Sequence, residues 1–247
     1  MPISVKDRVI IVTGGVGELG SAMARRLVVE GAKVVLADVR DGTALESELN
    51  QIGVAKYVKT DVTQEADTCR MAEDTRQAFG RIDVLINNAG IYTGKPFEEI
   101  TLEDWQQRMR VNLDGAFLCI KAVLPAMKTQ QDGRIINVGS DTVWMGTPGL
   151  AHYLTSKAGL LGLTRALATE LGPLGIKTAW ISPTLLDTPG TRQAFTEETF
   201  DYILNHTPIG KFEKPDDVTG LVTFLCSKDA EFINGAAINI GGGISMH

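Results

Sequence analysis

The 247-residue chain reads as an α/β protein: a doubly wound, seven-stranded parallel sheet covered by helices, in one domain spanning 1–247. Short β-branched runs alternate with longer amphipathic segments, the pattern of a parallel sheet with crossover helices. A glycine-rich turn follows the first run directly. No repeat, low-complexity tract or linker divides the chain, and its length suits one α/β unit.

The predicted strands are RVIIVT from Arg8, KVVLAD from Lys33, AKYVKT from Ala55, DVLINN from Asp83, RIINVG from Arg134, IKTAWIS from Ile176 and AAINI from Ala236. Helices are expected near 18–30, 43–51, 64–79, 102–128, 151–172 and 215–227. Thr63 precedes an acidic turn, Thr101 opens TLED, and Pro215 with Asp216 and Asp217 begins the last helix, all helix-start chemistry. Gly31, Gly80 and Gly172 stand where helices should stop. Residues 183–214 are too long for an ordinary connection and too apolar for a linker, so a substrate lid is expected near 184–214.

Composition narrows the function classes. With 44% hydrophobic and 22% charged residues the chain is an ordinary globular protein. A net charge of -6 argues against a general affinity for nucleic acid or an anionic membrane. Cys69, Cys119 and Cys226 are odd in number and form no CxxC pair, so neither a disulfide framework nor a metal site is expected, and a cytoplasmic location fits. No stretch approaches the ~18 uninterrupted apolar residues that would span a bilayer.

The turn TGGVGELG, Thr13 to Gly20, sits between strand and helix. A dinucleotide's pyrophosphate needs backbone N–H groups without intervening side chains, near the positive end of a helix dipole. Gly14, Gly15, Gly17 and Gly20 supply this, which makes the fold Rossmann-type. About 18 residues beyond Gly20, the second strand ends at Asp38, whose carboxylate can accept the hydroxyls of an adenosine ribose. It would repel a 2′-phosphate, favouring NAD over NADP, although Arg40 can offset that preference. Plain chain reversal and a polar strand terminus are the alternatives for these residues.

Tyr153 and Lys157 stand four apart in HYLTSKAGLLGLTRALATELG, a segment of helical period, and so project from one face. A phenol of pKa ~10 is a poor base at neutral pH; a neighbouring ammonium stabilises the phenolate and brings proton transfer into range.

On TGGVGELG, Asp61-Val62, NNAG from Asn87 to Gly90, Asn112 in RVNLDG, Ser140 in INVGS, YLTSK from Tyr153 and SPTLLDT from Ser182, the chain resembles the compact branch of the short-chain dehydrogenase/reductase family from Val9 to Gly243. The resemblance implies that Tyr153 is the general acid/base, that Lys157 depresses its pKa and holds the nicotinamide ribose, that Ser140 bonds the reacting oxygen, and that Asn112 anchors a water relay from Lys157. It places Gly14, Gly17, Glu18 and Leu19 at the cofactor, Asp61 and Val62 at adenine, and Asn88, Ala89 and Gly90 on the adenosine side. Pro183 joins these cofactor residues, with Ile181 and Thr188 at the carboxamide end. Strand-end turns for Asn87 and Asn88 and a helix cap for Ser140 are the structural alternatives. A homotetramer built on helices 102–128 and 151–172 is also implied.

Three positions depart from that pattern. Glu18 stands at the second glycine of the usual TGxxxGxG, Thr184 at the glycine of a usual Pro-Gly, and Gly241 at the aspartate of a usual VDGG. The glycine spacing instead matches a longer, sugar-nucleotide-modifying branch, so an epimerase or dehydratase is one alternative and a non-catalytic NAD-binding regulator another. A serine hydrolase does not fit, because Ser140 lies in VGSDT rather than a GxSxG elbow.

The expected activity is hydride transfer between NAD(H) and a small secondary alcohol or ketone. Its walls should come from 91–97, 141–152 and 184–206, with Tyr92, Trp144, Met145, Leu185 and Leu186 as substrate residues and Leu150, Phe195, Phe200 and Tyr202 beside them. No formal charge occurs from Thr142 to Ala151, which suits a hydrophobic or aromatic substrate. Trp144 and Met145 packing under the lid as core is the alternative. SDTVWMGTPGLAHY and the terminal His247 are similar to aryl-alcohol members of the family.

Overall fold

Runs without a polar side form the middle of the sheet, as strands covered on both faces require. In the computed structural model, which describes residues 4–246, β1 (Val9–Thr13) is buried along its whole length. The other strands are β2 (Lys33–Asp38), β3 (Val54–Lys59), β4 (Val84–Asn87), β5 (Gly133–Val138), β6 (Ile176–Ser182) and β7 (Ala236–Asn239). They pair in parallel in the order β3-β2-β1-β4-β5-β6-β7. The order reverses between β1 and β4, and at such a switch point the loops leaving the strand ends open a crevice.

Alternation along the strands divides the core. Ile10 and Val12 face a cluster built on α1 (Glu18–Val29) and the C-terminal helix Pro215–Cys226. Ile11 faces the opposite cluster, with Met71 from Glu65–Phe79 and Cys119, Val123 and Met127 from Gly115–Gln130. Burial pushes the thiols of Cys119 and Cys226 up to about 12, so both behave as apolar core residues. In chain order the helices after α1 are α2 (Thr43–Leu49), α3 (Glu65–Phe79), α4 (Leu102–Met109), α5 (Gly115–Gln130), α6 (Thr142–Met145), α7 (Ala151–Leu171), α8 (Pro189–Ala194), α9 (Glu197–His206) and α10 (Pro215–Cys226).

Several expectations need correction. The helix expected over 102–128 is two helices joined by a π-helical turn, Arg110–Asp114, in which the Gly115 N–H reaches the Arg110 carbonyl. That wider turn carries Asn112, whose side chain is drawn inward by bonds to Ile91 and Ser156. Thr63 does not cap α3: Gln64 takes the N-cap position, and the Thr63 hydroxyl donates to Asp61 instead. Gly172 keeps a helical φ, and the left-handed residue is Gly175, after a short 3-10 turn. Thr101 does form the reciprocal cap with Asp104, at 3.1 and 2.9 Å. His247 lies outside the described residues. Among the described residues no helix is long and apolar enough to cross a membrane.

The segment 183–214 is ordered by its own helices. Thr188 and Thr196 cap α8 and α9 through their side chains. Phe200 is fully buried between Phe212, at a ring separation of 5.6 Å, and the Arg192 guanidinium, 3.8 Å from its centroid.

Candidate active site

The loops leaving β1, β2, β4, β5 and β6 surround one cleft of about 1070 Å³. At its floor, Thr13 Oγ1 accepts the backbone N–H groups of Asn88 and Ala89, both at 3.0 Å. The Asn88 amide in turn donates to the carbonyls of Thr13 and Gly14 at 2.9 and 3.2 Å. These bonds tie the glycine turn to the loop after β4, so both line the cleft as one surface. A Cβ on Gly20 would sit 2.1 Å from the Gly14 carbonyl oxygen, so the tight turn tolerates no side chain there.

Gly17 is the N-cap of α1 and provides no side-chain bond, so the first helical N–H groups face the cleft beside bare glycines. That chemistry suits a pyrophosphate. Glu18 turns across the cleft, where its Oε1 accepts the Gly190 N–H at 2.8 Å. The carboxylate is thereby held at the start of α8.

Asp38, 4% exposed, uses both oxygens: Oδ2 accepts from Val16 N and Arg40 Nη2 at 3.0 Å each, Oδ1 from Arg40 N and Nε at 3.0 and 3.2 Å. Burial pushes this carboxyl up, but its bonds to Arg40 and Val16 outweigh that and hold it below the usual range. Asp61 and Val62 line the same end, with Leu19, Ala89 and Gly90.

Helix α7 carries Tyr153 and Lys157 one turn apart into the middle of the cleft, opposite Ser140 at the end of β5. Lys157 Nζ donates to the Val138 carbonyl at 2.8 Å and lies 5.8 Å from the Tyr153 ring centroid. Thr142 Oγ1 donates to Ser140 Oγ at 3.0 Å. Burial pushes the Tyr153 phenol up to about 12, with the Ser140 hydroxyl pulling it back, and lowers Lys157 to about 8. The expected depression of Tyr153 by Lys157 is not what this geometry gives. The ammonium is turned to a carbonyl, and desolvation dominates both groups.

Other expected residues divide clearly. Pro183, Thr188, Met145, Leu150, Leu185, Leu186 and Tyr202 line the cleft. Tyr92 stacks on Phe195 with centroids 5.8 Å apart and planes within 11°, forming an aromatic wall. Trp144 does not line it, a correction: its ring packs edge-on against Trp180 at 5.8 Å, within a cluster of Ala116, Leu160 and Leu161. Phe200 and Ile181 are fully buried core residues, while Trp144 is partly buried against that cluster. Asn112 lies behind the cleft, where Oδ1 accepts from Ile91 N at 2.9 Å and Nδ2 donates to Ile91 O and Ser156 Oγ, both at 3.1 Å.

Two buried carboxyls escaped the sequence reading. Asp141 follows Ser140, and Glu213 lies in KFEK, which reads as solvated surface although the side chain is 7% exposed. Neither had a periodic or motif signal.

A sequence-family model described as Enoyl-(Acyl carrier protein) reductase matches residues 15–245. The chain is 34% identical, over 99% of both sequences, to the hydroxy(phenyl)methylsuccinyl-CoA dehydrogenase subunit BbsD of Thauera aromatica.

The chain belongs to the short-chain dehydrogenase/reductase family.

This short-chain dehydrogenase/reductase is also 38% identical to a 3-alpha-(or 20-beta)-hydroxysteroid dehydrogenase of Mycobacterium bovis, over 96% of the chain and 88% of that protein. Its fold matches the crystal structure of a 3-ketoacyl-(acyl-carrier-protein) reductase from Brucella melitensis complexed with NADH, with a TM-score of 0.90, 32% identity, and coverage of 98% and 100% of the two chains. As a family member it is an oxidoreductase that binds a nicotinamide cofactor, and the bare glycine cradle at the N-terminus of α1 fits that group.

Proposed function

We propose that this short-chain dehydrogenase/reductase is an NAD-dependent alcohol dehydrogenase and ketone reductase acting on neutral secondary alcohols and ketones with a hydrophobic or aryl substituent. The observation that carries this is the convergence of Ser140, Tyr153 and Lys157 beside the Tyr92–Phe195 wall, with Met145, Leu150, Leu185 and Leu186 around it. Among the described residues the cations lining the cleft are Arg40, beside Asp38, and Lys157, so the substrate end presents no basic pair for a phosphate. The relative from Thauera aromatica is named for a hydroxy(phenyl)methyl-substituted succinyl-CoA, so its aryl carbinol agrees with the aryl part of this class, whereas its thioester belongs with the competing reading.

In this reading Tyr153 Oη exchanges the proton with the substrate oxygen and Ser140 bonds that oxygen. Lys157 holds the nicotinamide ribose, and Asn112 anchors a proton path behind it. Gly14 and Gly17, with the backbone N–H groups of Glu18 and Leu19, hold the pyrophosphate, Asp38 the adenosine ribose, Asp61, Val62, Asn88, Ala89 and Gly90 the adenosine, and Pro183 and Thr188 the carboxamide. When bound, the nicotinamide supplies or accepts the hydride. A phenol held protonated by burial is suited to deliver a proton to the oxygen of a ketone being reduced. Residues 184–214 act as the lid. The enzyme works in the cytoplasm as a homotetramer through α4, α5 and α7, where Leu102 and Phe117 are 71% and 46% exposed; light scattering checks the assembly.

The competing reading is a reductase of 3-oxoacyl thioesters, favoured by the likeness to the Brucella enzyme. Comparing kcat/KM for aryl ketones and 3-oxoacyl thioesters tests the two. A preference of about tenfold or more for the thioesters, about 1.4 kcal/mol in transition-state binding, overturns the proposal.

A further inference from the structure

The departures at Thr184 and Gly241 meet in space around two buried carboxyls. Asp141 is 1% exposed and Glu213 7%. The Thr184 side chain, on a residue 8% exposed, lies beside the Asp141 carboxyl, and its hydroxyl has no hydrogen-bond partner among the described residues. A Cβ on Gly241 would stand 3.0 Å from Asp141 Oδ2, so the glycine at 241 leaves this volume to the Asp141 carboxyl.

The two acids grip one segment from opposite sides. The Asp141 N–H donates to the Pro183 carbonyl at 3.1 Å. Glu213 Oε2 accepts the Thr184 N–H at 2.7 Å, and the Glu213 carbonyl accepts the Asp187 N–H at 2.8 Å. Leu186 and Glu213 also pair as an isolated parallel bridge. The segment so held, 183–187, borders the cleft and follows directly on β6, while Asp141 adjoins Ser140.

Neither carboxyl has the counter-charge that burial demands. The charged groups facing Glu213 are Asp141 and, from α10, Asp217; the ionisable group facing Asp141 from α7 is the Tyr153 phenol. Of the nearby cations, Arg192 pairs with Asp187 and Glu197, Lys211 with Asp217, and Lys157 bonds the Val138 carbonyl, while Lys214, next to Glu213 in the chain, is exposed. Asp141 Oδ2 and Glu213 Oε1 are left without a hydrogen-bond donor among the described residues. Two buried carboxylates that repel each other and lack counter-charges are costly to ionise together, and a proton supplies a missing donor.

We propose that Asp141 and Glu213 hold one proton between them across Thr184, and that this protonated pair positions the 183–187 segment against Ser140, loosening it when the proton leaves. Burial and the Asp141 charge push Glu213 up to about 8, and burial raises Asp141 to about 6. The sign follows from these raised values. The folded state keeps a proton that the unfolded chain releases, so this contribution to stability is complete below the usual carboxyl range. It is lost progressively as pH rises through about 8.

The test uses the full-length protein and no substrate, so it is independent of the proposed substrate class. Infrared spectroscopy of the wild type at neutral pH should show the C=O stretch of a protonated carboxylic acid, absent from E213Q. In D141N the midpoint for losing that band should move to lower pH, because a like charge has gone. NADH affinity, followed by fluorescence, should weaken by about threefold or more between pH ~6 and ~9 in the wild type. In E213Q, which mimics the protonated acid, the weakening should be smaller; titration of Lys157 is common to both proteins, so the difference isolates Glu213. Absence of the band at neutral pH, an unshifted midpoint in D141N, or identical pH dependence of NADH binding in E213Q overturns the proposal. So does an affinity for NADH that rises on adding Mg²⁺ while the band is missing, which places a cation between the carboxyls.

Discussion

Tyr153 is half-buried in the cleft and carries the proton transfer in the proposed reaction. Replacing it with Phe removes one oxygen from a packed site, so the fold and NADH binding should persist while turnover falls by about 10²–10⁴. Single-turnover kinetics beside an NADH titration separates the two, and retained turnover removes Tyr153 from the chemistry. Asp38 supports a second expectation. Its oxygens are occupied by Val16 and Arg40, so Asp38→Ala removes the charge facing a 2′-phosphate and frees the Arg40 guanidinium toward it. NADP(H) should bind about tenfold tighter than to wild type, with NAD(H) weaker; Kd values for both cofactors decide it. These residues were legible because each belongs to a spacing with a mechanical reason: four residues on a helix, or a carboxylate at a strand end. Asp141 and Glu213 were not, because nothing local distinguishes a buried carboxyl from a solvated one.

At the scale of elements, the contact between Glu18 and Gly190 links the first turn of α1 to the start of α8. Glu18→Ala should release this tether and speed NADH dissociation by about two- to fivefold, a modest effect because the bond is solvent-exposed. Stopped-flow displacement measures it, and an unchanged rate means the tether does not restrain α8 over the bound cofactor. The Tyr92–Phe195 stack gives another expectation. Phe195→Ala removes the partner of Tyr92 and should raise KM for bulky aryl ketones more than for small ones, whereas Trp144→Ala should act on stability instead. The difference arises in the α6 turn. A Trp in an uncharged loop close to Ser140 reads equally well as wall or core, and only its packing on Trp180 chooses. The break between α4 and α5 was hidden for a similar reason: the apolar period runs on through 102–128, while the side-chain bonds that open the turn come from Ile91 and Ser156.

Over the whole molecule, the sheet and the site depend on shared packing. Trp180 is fully buried on β6, its indole donates to the Lys157 carbonyl at 3.3 Å, and a Cβ on Gly139 would lie 2.0 Å from its ring. Trp180→Ala should therefore cost about 3–5 kcal/mol of stability and also disturb α7 under Lys157. Denaturant midpoints with unchanged slope, alongside kcat, check both consequences. By itself the sequence determined the α/β class, the seven strands and the glycine turn, and it set Tyr153 and Lys157 on one helix face, because periodicity, turn chemistry and helical spacing are local properties of a chain; Ser140 came with the family resemblance. Only the tertiary structure decided that Lys157 faces a carbonyl, that Glu18 reaches α8, that Trp144 packs on Trp180 instead of lining the cleft, and that two carboxyls with no counter-charge flank Thr184. Those outcomes depend on which distant segments exclude water from a side chain and which donors or charges they bring to it, and sequence spacing does not specify either.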